Sequence, residues 1–125
     1  MSWDIVLFNS NQRINSPEDV DEDLLIPVLF SEIFETHFKN IIKKDNHREI
    51  KGEDYSIMYF ADDEPASNTL LFLYGENAIY PIIDLAIKNN WQVFDTALNE
   101  MIDLQNPSKN GYKNFQTYLN QILNN

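Results

Sequence analysis

The chain has 125 residues, of which 43% are hydrophobic and 13% aromatic, and its formal net charge is −11. That length is one domain's worth, with room for a single sizeable core, and the apolar content is far above that of a solvated acidic tail. The absence of cysteine excludes disulfides, thiolate nucleophiles and cysteine-based zinc sites together, while a sequence pI near 4.3 sets the molecule against phosphate backbones and anionic lipid surfaces.

Trp3-Asp4-Ile5-Val6-Leu7-Phe8 reads as a buried strand, because five of its six residues are apolar or aromatic and the run stops at Asn9-Ser10-Asn11. No basic region precedes this run and no small-residue cleavage site follows it, so it does not read as a signal peptide and a cytoplasmic location is expected. From Ser10 to Pro27 the chain is polar and acidic and reads as a surface loop. From Leu29 the apolar residues fall into two rows of four-residue spacing, Leu29-Ile33-His37-Ile41 and Phe30-Phe34-Phe38-Ile42, which predict one amphipathic helix. Lys39, Lys43 and Lys44 would sit near its C-terminal end and favour the helix dipole.

Tyr55–Phe60 and Thr69–Tyr74 are aromatic-rich runs of strand length, separated by an acidic turn that contains Pro65, and predict a hairpin. Asn77 is a suitable cap for a second helix carrying Ile79, Ile82, Ile83, Ala86 and Ile87, with Pro81 tolerable in the opening turn and Asn89-Asn90 as a C-terminal stop. Trp91–Asp95 reads as a further strand, Met101–Leu104 as a short one pairing back onto it, and the spacing of Tyr112, Phe115, Tyr118, Leu119 and Ile122 as a closing helix. The expected architecture is a single α+β domain over residues 1–125. It is ferredoxin-like, a split β-α-β arrangement of order βαββαβ with two helices on one face of an antiparallel sheet, plus a short C-terminal strand and helix.

The acid is unevenly placed along this plan, with 15 Asp and Glu against 6 Lys and Arg in residues 1–64, concentrated in Glu18–Asp23 and in Asp62-Asp63-Glu64. Either cluster can be a solvated loop, and either can be a lure for a basic partner. Clustered carboxylates are also what magnesium or calcium requires. Successive side chains at a strand end alternate faces, however, and no EF-hand spacing follows Asp62, so that segment reads as a turn closed by Pro65 and Ser67. No metal site and no cofactor is expected.

His37 falls in an apolar row and reads as a core or boundary residue, and His47 lies in a basic stretch that reads as a loop leaving the helix. There is no Gly-x-Ser-x-Gly elbow or phosphate-binding glycine loop, and the whole chain has 3 Gly. Asp95 and Asp103 across the terminal hairpin form the one carboxylate pair with glycosidase character, a weaker reading than two turn formers. Trp3 and Trp91 read as core or core-rim residues, and either would be an anchor for a partner if exposed. If one sheet face is free of helices, its aromatics form a binding platform or a dimer seam.

Trp3-Asp4-Ile5, Ser16-Pro17-Glu18-Asp19, Asp62-Asp63-Glu64-Pro65-x-Ser67 and Asn90-Trp91-Gln92 leading into Phe94-Asp95-Thr96 together resemble a group of small, uncharacterised, acidic bacterial proteins with an N-terminal Trp-Asp motif. The resemblance implies a protein of the immunity type, which neutralises a toxin delivered between competing bacteria. Many of that group carry a glycine-rich element ahead of the second helix, where this chain has Gly75 alone, and its tail from Pro107 is an extension. The expected function is non-catalytic capture of a basic, nuclease-like protein partner, with Asp19, Asp21, Glu22, Asp62, Asp63, Glu64 and Trp3 at the contact and no nucleic acid or membrane involved. The alternative is a small homo-oligomeric or ligand-binding module that uses an open sheet face, with a homodimer as its simplest form.

Overall fold

The computed structural model describes residues 2–10, 12–61 and 64–123. Its elements in chain order are β1 (Trp3–Phe8), α1 (Phe30–His37), β2 (Ile41–Lys44), β3 (His47–Lys51), β4 (Ser56–Phe60), β5 (Asn68–Tyr74), α2 (Ile79–Asn89), β6 (Gln92–Asp95), β7 (Glu100–Met101) and α3 (Tyr112–Leu123). Among the described residues this is an α+β fold with a seven-stranded open sheet in the order β2-β3-β4-β5-β1-β6-β7, every neighbouring pair antiparallel.

Period-two alternation builds the sheet. In β1, Trp3, Ile5 and Leu7 are buried while Asp4, Val6 and Phe8 are only half-buried. Ile5 stands opposite Leu71 of β5 on one side and Asp95 of β6 on the other, so one row of buried side chains crosses the sheet. The helices cover that face. Phe30 and Phe34 of α1 hold the Trp91 ring at 4.8 and 6.1 Å, Phe34 meets Tyr59 at 4.8 Å, and Tyr112 of α3 meets Trp3 edge-on at 5.5 Å. Each such aromatic side chain taken out of water contributes roughly 1.5–3 kcal/mol, which makes this layer the main stabilising element of the fold.

α2 contributes Ile79, Ile82, Ile83, Leu85 and Ala86 to the same core, while Ile87 turns outward at 51% exposure. It ends as the sequence predicts: Asn90 adopts φ +58 and ψ +35, and the Trp91 N–H returns to the Ala86 carbonyl at 2.8 Å. Its start differs. Asn77 lies in a 3-10 turn ahead of the helix, and its amide donates to the Asp54 carboxylate instead of capping α2.

The first helix is shorter than its apolar rows predict. It stops at His37, Phe38 takes an extended conformation with ψ 136, and Ile41–Lys44 form β2 instead of a last turn and a half of helix. Lys43-Lys44-Asp45-Asn46-His47-Arg48, expected as a loop, is the tip of a hairpin in which Ile41 pairs with Ile50 and Asp45 takes the left-handed φ of +54. The β-branched pair Ile41-Ile42, followed by an Asp-Asn turn, favours a strand, and its pairing with β3 overrides the helical spacing. Lys43 therefore serves no helix end; it pairs with Glu35 of α1 at 2.9 Å, and Arg48 approaches the same carboxylate at 3.4 Å. The hydrogen bond from Lys43 holds the Glu35 carboxyl below its ordinary range.

The two outermost strands have distinct forms: β2 ends in Lys43-Lys44, and β7 is two residues long. No helix among the described residues is long and apolar enough to cross a membrane.

Candidate functional site

The acidic stretch after β1 is held against the sheet end at several points. Asn9 accepts from the Ile26 N–H at 2.8 Å and returns its side-chain amide to the Ile26 carbonyl at 2.8 Å, while Ser10 bridges Leu25. Two residues on, Val28 and Ala66 exchange both backbone hydrogen bonds at 2.9 Å, and the Asn9 N–H reaches the Ser67 carbonyl at 2.8 Å. The segment leaving the first acidic cluster thus lies beside the turn that holds the second. The sequence gives no hint of this, since the tie is made by backbone groups forty residues apart.

Gln12 locks the loop from within. Its side-chain amide donates to the Asp19 carbonyl, and its Oε1 accepts the Asp21 N–H at 2.7 Å. The Asp21 carboxylate accepts from the Asp23 N–H at 3.0 Å and starts a 3-10 turn over Glu22–Leu24, while Ser16 donates to the Asp19 carboxylate at 3.1 Å. The free carboxylate oxygens of Asp19, Asp21 and Glu22, with those of Glu18 and Asp23, face solvent, as does Glu64 in the adjacent turn. Asp62 and Asp63 lie outside the described residues. Leu24 and Ile26, 41% and 39% exposed, follow the acids and give the strip an apolar margin.

Negative charge is not confined to this end. Asp4, Glu53, Asp54, Glu76 and Glu100 lie at the opposite end of the strands, and the cations gather instead along the β2–β3 hairpin.

Trp3 requires a correction. At 1% exposure it belongs to the core and offers no surface to a partner. Its indole N–H donates at 2.9 Å to Asp95, which is fully buried and is filled by three more donors: the backbone N–H groups of Ala97 at 2.9 Å, Leu98 at 3.1 Å and Gly111 at 2.7 Å. With both oxygens of Asp95 so engaged, and Asp103 exposed and accepting from the Gln105 N–H at 2.9 Å, the two carboxylates do not form a glycosidase pair. Trp91 is likewise core, at 2% exposure. His37 departs from its expected core or boundary position and is exposed, with its ring edge-on to Phe38 at 4.8 Å.

An open cleft of about 730 Å³ lies between the Gln12–Asn15 loop and the segment after β7, and Arg13, Asn15, Asn90 and Gln105 are among its polar groups. Neither histidine borders it. Among the described residues no three His, Asp or Glu side chains are gathered in a metal-binding group.

A second cleft of about 700 Å³, bordered by His37, lies between α1 and α2, and a further surface feature is the sheet face that α1, α2 and α3 leave bare. Phe60, Leu70 and Tyr74 are 52%, 43% and 38% exposed there, Phe60 packs edge-on against Phe72 at 6.1 Å, and Val6 stands between Leu70 and Phe94. Of the tyrosines expected on a strand face, Tyr59 points into the core and Tyr74 onto this open side. In comparisons with known proteins, no family model matches the chain, and no curated protein and no solved structure is significantly similar to it.

Proposed function

We propose that this protein is a non-catalytic binding protein, an immunity-type inhibitor that captures a basic, nuclease-like toxin in the cytoplasm. The observation that carries this reading is the Gln12-locked loop, which presents a run of solvent-facing carboxylates from a fixed backbone. Like charges held in place repel one another, and a cationic surface relieves that repulsion on binding. Long-range attraction speeds the encounter, and short-range contacts then set the lifetime of the complex. Leu24 and Ile26 take over the anchoring role that Trp3 does not fill. The site makes and breaks no bonds in this reading, because its carboxylates are strung along a loop and face water instead of converging on one point.

We read the inner strands β4, β5, β1 and β6, with α1 and α2, as a ferredoxin-like split β-α-β unit widened by the β2–β3 hairpin at one edge and β7 at the other. Its support is the strand order, with β5 between β1 and β4 and β1 between β5 and β6.

The test is association kinetics with the basic product of the neighbouring reading frame, measured from low to physiological salt. The isosteric triple variant Asp19→Asn, Asp21→Asn, Glu22→Gln keeps the turn-forming oxygens and removes the charge. It should slow association by about tenfold and flatten its dependence on salt. An unchanged salt slope, or no complex with the unaltered chain, overturns the reading.

A further inference from the structure

We propose that the bare sheet face is the interface between two copies of this chain, stacked face to face about a two-fold axis that runs along β5. This goes beyond capture of a basic partner and rests on different residues.

The first argument is the pattern across the strands. One register row runs from Lys44 to His47, Phe60, Leu70, Val6, Phe94 and Met101, crossing all seven strands. Its one step without a direct backbone pairing, Phe60 to Leu70, follows two residues beyond Met58↔Phe72. Leu70, on β5, is the middle residue of that row. Rotation about β5 therefore sets Leu70 on Leu70, Phe60 on Val6 and His47 on Phe94, and it matches apolar groups with apolar groups and the imidazole with a ring. An isologous contact requires a patch complementary to itself in this way.

The second argument is charge. On this face the β2–β3 edge carries Lys44 and Lys51 against Glu49, with Lys43 and Arg48 on the helical side beside Glu35, whereas residues 91–105 have no Lys or Arg at all. The same rotation lays one edge over the other, so Lys44 of one copy comes level with Met101 of the second, at an edge without cations. A two-fold axis laid across the strands would instead set like edges together. The acids on this face, Asp4 and Glu49, stand outside that row, and a strongly basic partner finds its complement in the acidic loop.

The third argument is area. Strands of two to seven residues, at about 3.3 Å per residue and spaced about 4.8 Å apart, cover roughly 500 Å² per copy, and about 1,000 Å² in total is the least that a specific interface needs. A twisted sheet face of this extent is met over its whole width by another sheet of the same twist, as in aligned sheet packing.

Light scattering at micromolar concentration should give the mass of two chains. The double variant Phe60→Ser, Leu70→Ser changes two exposed side chains and should keep the circular dichroism of the fold while raising the dissociation constant by about tenfold or more. A cysteine-free chain permits a second measurement: Leu70→Cys lies on the axis and should oxidise rapidly to a disulfide-linked pair, whereas Ile87→Cys, equally exposed on the helical side, should not. A monomeric mass for the unaltered chain, a dimer indifferent to the serine substitutions, or equal cross-linking at positions 70 and 87 overturns the proposal.

Discussion

Asp95 shows how a single buried charge organises a corner of the molecule. Its four N–H donors come from the start of β1, the turn after β6 and the entry to α3, so one carboxylate ties the first strand and the last helix to its own turn. Gly111 is fixed by the same contact, since a Cβ there would lie 2.4 Å from the Leu98 nitrogen and 2.9 Å from the Asp95 carboxylate. Asp95→Ala leaves the donors buried and unanswered, and urea unfolding should register a loss of about 3 kcal/mol. Asp95→Asn should cost less, because its oxygen can still serve three donors while its amide opposes only the Gly111 N–H. Tyr59 is the opposite case. Its hydroxyl is buried with no hydrogen-bond partner among the described residues, and burial, reinforced by the Glu35 charge, pushes its pKa up to about 12. The unfolded chain ionises this phenol near 10 and the folded chain does not, so stability is whole below pH 10 and falls as pH rises toward 12. Tyr59→Phe removes an unanswered polar group: it should leave stability at pH 7 unchanged or raised by about 1 kcal/mol, and reduce the alkaline loss. Thermal denaturation at neutral and alkaline pH reads both effects.

Among the elements, α2 has the most sharply specified end. Asn90 holds φ +58, a conformation that alanine tolerates poorly and glycine freely. Asn90→Ala should therefore cost about 1 kcal/mol, and Asn90→Gly should be close to neutral, by chemical denaturation. This stop was legible in the sequence because it depends on one residue type in one local conformation, and β1 was legible because its apolar run ends at a polar triplet. The β2–β3 hairpin was not. Phe30, Phe34, Phe38 and Ile42 satisfy a helical repeat as well as the strand satisfies its own, and the choice between them was made by the pairing of Ile41 with Ile50, which in turn docks on β4. The signal available was the Asp45-Asn46 turn between β-branched residues. In the candidate site, the charge of the acidic loop was readable and its rigidity was not, because Gln12 acts across seven and nine residues of irregular chain. Trp3 lies in the core, as its place at a strand start implied, and its assignment to a contact failed because the face that the helices cover is decided by elements far along the chain.

At the scale of the whole molecule, charge and apolar surface are separated. The acidic loop sits at the sheet end, the cations run along one lateral edge, and the aromatic face lies on the side away from the helices. The two proposed contacts therefore use different surfaces, and a stacked pair would still offer both of its loops. A sheet with this much bare aromatic surface also faces the hazard of open-ended growth, in which strand after strand adds through free backbone groups. Its lateral margins oppose that: an incoming chain would have to bring its backbone against Lys43-Lys44 on one side, or find a ladder only two residues long on the other. Assembly through the face, as proposed, would thus end at a finite particle, and the lysine pair that looked from the sequence like the tail of a helix opposes the templating of fibrils.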